Sequence, residues 1–308
     1  MFYYAFHNKN TLFQIIISIS TNLCYTIIRK AGVKQMNTGF LLPKTDIIFK
    51  LLFGDERSVE LLTDFLKSIL RIPAVEYDEV IIVDPHLLRE YEGDKLGILD
   101  VKVKTKSKKI INIEIQIKPE AGMRERIVYS TSKTITEQVG SGNRYQKMKR
   151  VISIVIADYV LIPESQKYHH RFVLFDSDNN VEFTDIIELN TLELKKLPET
   201  EDGTELWNWL KFLSAESKED LDMIAEKSPG VKKAVVRLME LSNDERTRML
   251  HDSYMRKEWS IQGRERLAEK NSMLMVAKNL LNVGDSVDKI VAVTGLTHAE
   301  ITQLKNAD

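Results

Sequence analysis

The stretch LDVKVKTKSKKIINIEIQIK (99–118) decides the fold, because apolar and polar residues alternate over two consecutive runs. Side chains two residues apart lie on the same face of a strand, so both runs are predicted to be strands of one β-hairpin. Directly opposed residues on antiparallel strands point the same way, so their numbers must have an even sum. A connection of three or five residues around Lys106–Lys109 meets this condition, whereas a two-residue turn does not.

Asp100 and Glu114 fall on the polar face that the two predicted strands would share. Two carboxylates held at that range, within about 6 Å, could bind Mg²⁺, which takes oxygen ligands and usually keeps several waters. Gln116 and Lys118 follow on the same face, where Lys118 could stabilise developing charge on a phosphate. On the pattern alone, a solvent-facing amphipathic hairpin is the favoured interpretation. A carboxylate inside the apolar run IINIEIQI nevertheless requires a partner.

The rest of the chain predicts a mixed α/β domain followed by helices. Beyond Pro198 only helical spacing of apolar residues continues, and the acidic run Glu199–Asp202 with Gly203 indicates a linker. We therefore expect an α/β domain over 36–198 and an all-helical tail over 199–308. The predicted helices of the domain cover 46–53, 57–70 and 123–139, and the predicted strands cover 80–84, 97–105, 110–118, 151–158, 171–176 and 181–189.

Residues 1–35 precede the predicted domain and contain the only candidate membrane segment, LFQIIISISTNLCYTII (12–28). A membrane-spanning helix needs about 20 mostly apolar residues, whereas polar residues interrupt this shorter stretch. A signal peptide needs a basic start and a small-residue cleavage site, and only Lys9 precedes the stretch. We favour an extension outside the fold, with Met36 as the natural start of a cytoplasmic protein, over a membrane-tethered protein.

Removal of residues 1–35 is expected to leave a soluble, folded protein, because the sequence from Met36 reads as the beginning of a soluble domain. Thermal unfolding followed by circular dichroism, with the full chain as the control, would check this. A shortened chain that no longer unfolds cooperatively would show instead that the segment packs into the core.

Composition excludes several other classes of protein. Lysine and arginine total 44 against 45 aspartates and glutamates, so the chain is not a globally basic nucleic-acid coat, although local basic patches are allowed. The single cysteine, Cys24, excludes an internal disulfide framework and a cysteine-rich zinc site. No H-x-x-x-H motif and no glycine-rich phosphate loop is present.

Four stretches, taken in order, resemble the PD-(D/E)XK nuclease family transposases, also called Rpn-type recombination-promoting nucleases. They are PKTDIIFKLLFGDE (43–56), LDVKVKT with INIEIQ (99–105 and 111–116), RIVYSTSKTITEQVGSGNRYQKMKRVISIVI (126–156) and AKNLLNVGDSVDKIVAVTGLTHAEITQL (277–304). The resemblance implies a restriction-endonuclease-like core, in which helices flank a central mixed sheet. Residues 1–35 have no counterpart in the family pattern.

The resemblance also implies Mg²⁺-dependent endonucleolytic cleavage of DNA, with Mn²⁺ as an alternative ion, in proteins associated with mobile elements and recombination. Asp100 matches the metal-binding aspartate of the family motif, and Glu114 matches the acid of its (D/E)-x-K element. Gln116 stands where the wider superfamily has lysine, and this family commonly carries E-x-Q. The alternative function is a catalytically decayed DNA- or protein-binding remnant of a transposase-like protein.

Further residues could take part in such a site. Some nucleases of the superfamily add an acid from the first helix, a place that Asp46 could fill, although a carboxylate at a helix N-terminus is also favoured by the helix dipole. Basic and aromatic side chains could contact DNA phosphates or bases, against the alternative of an ordinary solvated surface. These candidates are Lys102, Lys104, Arg126, Tyr129, Lys133, Arg144 and Lys147.

The end of the tail has the spacing of a helix-turn-helix. Asp285 or Ser286 can cap a helix, the turn at Gly295 follows, and Thr297 with Glu300 form a capping box for the next helix. That second helix carries few basic side chains for a DNA major groove. We therefore favour a small packing or dimerisation unit, through which the chain would form a homo-oligomer.

Overall fold

The computed structural model describes residues 39–83, 101–139 and 145–306. From Leu41 onward the described residues form one compact unit. Two of the predicted site residues, Asp100 and Arg144, lie outside the described residues, as does the candidate membrane segment 12–28. In the described ranges, no helix combines the length and the apolar character that crossing a membrane requires.

A six-stranded mixed sheet forms the centre of the protein. Its strands are β1 (Ile81–Val83), β2 (Val101–Lys104), β3 (Ile110–Gln116), β4 (Val151–Ala157), β5 (His169–Asp176) and β6 (Val181–Glu193). The order across the sheet is β1-β2-β3-β4-β6-β5. Strands β3, β4 and β6 run parallel, whereas β1, β2 and β5 are antiparallel to their neighbours.

The β2–β3 hairpin has the even-sum register that the sequence predicts. Val101 pairs with Ile113 and Lys104 pairs with Ile110, so five residues connect the strands. Within the connection the Thr105 amide donates to the Lys109 carbonyl at 3.1 Å. The valines of β2 and the isoleucines at 111, 113 and 115 are buried, and the polar residues between them are only half-buried. The predicted alternation of the two strands is therefore confirmed.

Glu76 anchors the hairpin connection to a short 3₁₀ segment, Ala74–Asp78. Its carboxylate accepts hydrogen bonds from the Thr105 hydroxyl at 2.7 Å and the Ser107 hydroxyl at 2.8 Å, and it pairs with Lys109. Burial opposes the charge of Glu76, but the donors from Lys109, Thr105 and Ser107 outweigh it and lower the pKa of this carboxyl to about 2.

An aromatic cluster joins helices α1 (Asp46–Phe53) and α2 (Val59–Ile69) to the helical region that follows the sheet. The rings of Phe53 and Phe65 lie 5.0 Å apart, and the ring of Phe65 lies 5.4 Å from Trp209. All three rings are fully buried. Burial of large aromatic side chains contributes strongly to stability, so this cluster fixes α1 in place.

Helix α3 (Met123–Thr136) packs on the face of the sheet to which the polar side chains of β3 point. Met123 and Ile127 pack against Val155 and Ala157 of β4. Further along, the Asn112 amide of β3 donates to the Thr134 hydroxyl at 3.2 Å. A helix thus covers this face, so the interpretation of a solvent-facing amphipathic hairpin is wrong.

Only helices follow the sheet among the described residues, as the sequence predicts. They are α4 (Glu205–Leu213), α5 (Lys218–Lys227), α6 (Pro229–Asn243), α7 (Glu245–Asn282), α8 (Val287–Thr294) and α9 (His298–Asn306). Side-chain caps begin most of them, and Asp244, for example, accepts from the Thr247 amide at the start of α7.

The C-terminal end of α7 forms a small apolar cluster with α8 and α9, in which Ala277, Ile290 and Ile301 are fully buried. The predicted caps are present, because Ser286 caps α8 and Thr297 exchanges hydrogen bonds with Glu300. This geometry confirms the capping box. The boundary between the domain 36–198 and the tail 199–308, and self-association through the tail, stay predictions.

The predicted fold class is confirmed, although several strand ends are shifted by one to four residues. Strand β3 ends at Gln116, two residues before the predicted end, since Pro119 cannot donate to a sheet ladder. Lys118 therefore lies beyond the strand face that it was expected to share with Glu114. Strand β6 continues to Glu193, past the predicted end at residue 189, because Asn190 and Thr191 pair with both neighbouring strands despite their polarity.

Candidate active site

The polar side chains of β3 meet helix α3 near the carboxyl ends of the parallel strands β3 and β4. Glu114 lies opposite Val155 in the sheet register, and Gln116 lies opposite Ala157 at the last pair. The side chain of Glu114 is 18% exposed, so solvent reaches it only in part. Ends of parallel strands commonly hold ligand sites in α/β sheets.

Glu114 is held by two donors that reach the same oxygen atom. The Gln116 side-chain amide and the Arg126 guanidinium both donate to Oε1 of Glu114. Arg126 also pairs with the exposed Glu120. Burial works against the charge on Arg126, but these two carboxylates outweigh it and raise its pKa. Glu114 is therefore an oriented carboxylate, and none of the described residues donates to its second oxygen.

Asp46, in the first turn of α1, lies within electrostatic reach of Glu114. Its Oδ2 accepts a hydrogen bond from the Tyr254 hydroxyl of α7 at 2.7 Å, whereas its buried Oδ1 has no partner among the described residues. Burial raises the pKa of Asp46, the charges of Glu258 and Glu114 raise it further, and Tyr254 and Lys118 oppose the rise. Asp46 is thus a half-buried carboxylate with one buried oxygen, in an acidic setting.

The predicted cation Lys118 pairs with Glu258 of α7 at 2.8 Å and is about half exposed. Glu258 offsets the positive charge of Lys118, so Lys118 is not an isolated cation directed at a substrate. A second cation, Lys44, pairs with Asp158 at 3.0 Å just after β4, and both side chains are 13% exposed.

The described DNA-contact candidates lie on three different elements. Arg126 lies at Glu114, and Lys102 and Lys104 are half-buried on β2. On α3, Tyr129 is 69% exposed and Lys133 is also exposed. Lys147 is exposed at the end of the 3₁₀ segment Tyr145–Lys147. Whether any of these side chains binds DNA stays a prediction.

Several site residues carry no motif that identifies them from sequence. Tyr254 and Glu258 come from the charged helix α7, and Tyr159 follows β4. The hydroxyl of Tyr159 is buried without a partner among the described residues, lies in the field of Arg126 and Glu114, and has its pKa raised by burial. The sequence does single out the neighbouring Asp158, because it is the first charged residue after the apolar run VISIVIA.

The carboxylates present fit a hard divalent cation. No three His, Cys, Asp or Glu side chains converge closely enough to hold a metal ion within residues 39–83, 101–139 and 145–306. Even so, the unpartnered Oδ1 of Asp46 is costly to bury as an anion, and a cation would offset that cost. Mg²⁺ is usually held by one or two carboxylates together with several waters. Glu114 and Asp46 can supply the carboxylates. Asp100, the other predicted ligand, lies outside the described residues.

Comparison with known proteins identifies the family of the chain. The family model described as PD-(D/E)XK nuclease family transposase matches residues 43–263 of the chain. The match covers the sheet, helix α3 and the part of α7 that carries Tyr254 and Glu258. No curated protein and no solved structure matches the chain.

Proposed function

The chain belongs to the PD-(D/E)XK nuclease family transposases, and from this premise we propose that it is a Mg²⁺-dependent DNA endonuclease that hydrolyses phosphodiester bonds. The observation that carries the proposal is Glu114, a carboxylate oriented by Gln116 and Arg126 at the end of parallel strands. The buried, unpartnered oxygen of Asp46, which lies within electrostatic reach of Glu114, supports a cation near these carboxylates. DNA as the substrate class follows from the nuclease family, and we propose a cytoplasmic location with it.

Asp100 and Glu114 are the proposed metal ligands, with Asp46 as the additional acid. The register that pairs Val101 with Ile113, continued by one residue, would pair Asp100 with Glu114. Opposed residues of antiparallel strands have Cβ atoms about 4.5–5.5 Å apart, which is close enough for two carboxylates to share one ion. The expected separation of the two carboxylates within about 6 Å thus stays part of the proposal.

The remaining residues take distinct roles in this proposal. A divalent ion, when bound, would polarise a phosphoryl oxygen and lower the pKa of a water. Gln116 can orient that water by hydrogen bonds, but it cannot carry positive charge or act as a base at neutral pH. Arg126 is the cation nearest to Glu114 in the described site, and its fixed charge suits a phosphate oxygen.

Conversion of supercoiled plasmid DNA by the purified full chain tests the proposal. We expect nicked or linear DNA with Mg²⁺ or Mn²⁺ and intact plasmid with EDTA, because the proposed site needs the ion to stabilise charge on the phosphate. Plasmid that stays intact with both ions would contradict an endonuclease. If the chain then still retards DNA in a gel, the alternative of a decayed DNA-binding remnant, which Gln116 in place of lysine permits, becomes the better account.

Replacement of Gln116 by alanine is expected to lower the cleavage rate by about 10- to 1000-fold, as for loss of one positioning group. Single-turnover cleavage of an end-labelled duplex would measure the change. Wild-type rates in this variant would remove Gln116 from the site.

Lys118→Ala tests whether Lys118 assists the phosphate from beyond the strand end. We expect a loss of no more than about 10-fold, because Lys118 is half exposed and shares its charge with Glu258. Lys106→Ala is the matched control, since Lys106 is about equally exposed and pairs with Asp78 at 3.0 Å. Equal cleavage by both variants and the wild type would exclude Lys118 from catalysis.

A further inference from the structure

Helix α7 contributes two side chains to the edge of the proposed active site. Tyr254 and Glu258 lie four residues apart, which places them on the same face of the helix. Tyr254 contacts Asp46 of α1, and Glu258 contacts Lys118 just beyond β3. The same helical face therefore meets the site at two points.

The contact of Tyr254 with Asp46 divides the two carboxylate oxygens between different roles. Oδ2 receives the phenolic hydrogen at 2.7 Å, a distance typical of a strong O–H···O bond. This bond restricts rotation of the carboxylate and thereby fixes the direction of Oδ1, the buried oxygen without a partner in the described structure. Tyr254 itself is 5% exposed, so packing holds its ring in place.

We infer that Tyr254 is a positioning residue of the proposed metal site, whose hydroxyl fixes Asp46 so that its second oxygen can bind the ion. This inference rests on the proposed function, and it assigns part of the site to the helical region of the chain. Residues that orient metal ligands typically change metal affinity by 10- to 100-fold when they are replaced. Tyr254 acts through Asp46 and does not need to touch the DNA.

Tyr254→Phe removes the hydroxyl and keeps the ring, so it separates orientation of Asp46 from packing of α7. Isothermal titration of the full chain with Mn²⁺, without DNA, measures affinity independently of cleavage. We expect Tyr254→Phe to weaken Mn²⁺ binding by about 10-fold or more, the range for such partners. The matched control is Tyr77→Phe, which removes another tyrosine hydroxyl that has partners inside the protein. Those partners are backbone carbonyls, and Tyr77 lies in the 3₁₀ segment near Glu76.

The double variant Asp46→Ala with Tyr254→Phe tests whether Tyr254 acts through Asp46. We expect it to bind Mn²⁺ no more weakly than Asp46→Ala alone. The inference would be overturned if the losses of Mn²⁺ affinity from the two substitutions added up in the double variant. Wild-type Mn²⁺ affinity of Tyr254→Phe, at an unchanged thermal midpoint, would also overturn it. If Glu114→Ala loses Mn²⁺ binding in that case, the proposed metal site survives. A wild-type chain that does not bind Mn²⁺ at all would overturn both.

Discussion

Glu114→Ala is expected to abolish metal-dependent DNA cleavage, because it removes a proposed ligand of the ion and the only carboxylate of β3 at this site. Loss of a first metal ligand removes the group that stabilises charge on the phosphate, so we expect at least about a 1000-fold lower rate. The same change frees Arg126 from one of its two carboxylate partners, and Glu120 remains to pair with it. The fold should therefore tolerate the substitution.

Glu120→Ala is the matched control for this experiment. Glu120 pairs with the same arginine, but its side chain is 55% exposed, compared with 18% for Glu114. Plasmid cleavage and Mn²⁺ titration of both variants would separate loss of a metal ligand from loss of an ion pair to Arg126. Equal cleavage by Glu114→Ala and Glu120→Ala would contradict the assignment of Glu114.

Glu76→Gln is expected to lower the free energy of unfolding by about 2 to 4 kcal/mol, the range for breaking a buried, charged hydrogen-bond network. Glu76 is 6% exposed and accepts from Thr105, Ser107 and Lys109 at the turn that sets the β2–β3 register. An amide keeps the shape of the carboxylate but cannot accept at both ends, and Lys109 loses its ion-pair partner. Urea unfolding at neutral pH would measure the change.

The same substitution has a defined pH dependence. The pKa of Glu76 lies at about 2 in the fold, below its ordinary value of 4.5, so its ionised form stabilises the folded state. This contribution is complete above about pH 4.5 and disappears as the pH falls towards 2. The stability difference between wild type and Glu76→Gln should therefore shrink over that interval. A difference that stays constant with pH would show that Glu76 does not act through its charge.

Local sequence patterns were sufficient to predict the hairpin and to single out Glu114. A side-chain period of two fixes which residues share a face, and an odd-length connection fixes which faces meet. A carboxylate within a run of isoleucines was therefore recognisable as a residue in need of a partner. The same local rules could not identify that partner as Arg126, because a solvated face and an active site both permit an arginine on α3.

These local patterns could not predict contacts between distant parts of the chain. Asp46 and Tyr254 are separated by 208 residues, and helix α7 is so rich in charged residues that its sequence gives no clear buried face. The helical region was consequently expected to follow the domain rather than to contact its site. Lys118 was misplaced for a related reason, since strand length depends on Pro119 and on the neighbouring helix as well as on alternation.

The hydrogen bond between Asp46 and Tyr254 also has a consequence for the order of events during synthesis. Ribosomes add about 5–20 residues per second, so the 208 residues between the two partners require roughly 10 to 40 s of translation. Domains generally begin to fold from the N-terminal side while the chain is still being made. Throughout that interval a nascent chain carries Asp46 without the tyrosine that fixes it, and the site acquires its final geometry only after helix α7 has been translated.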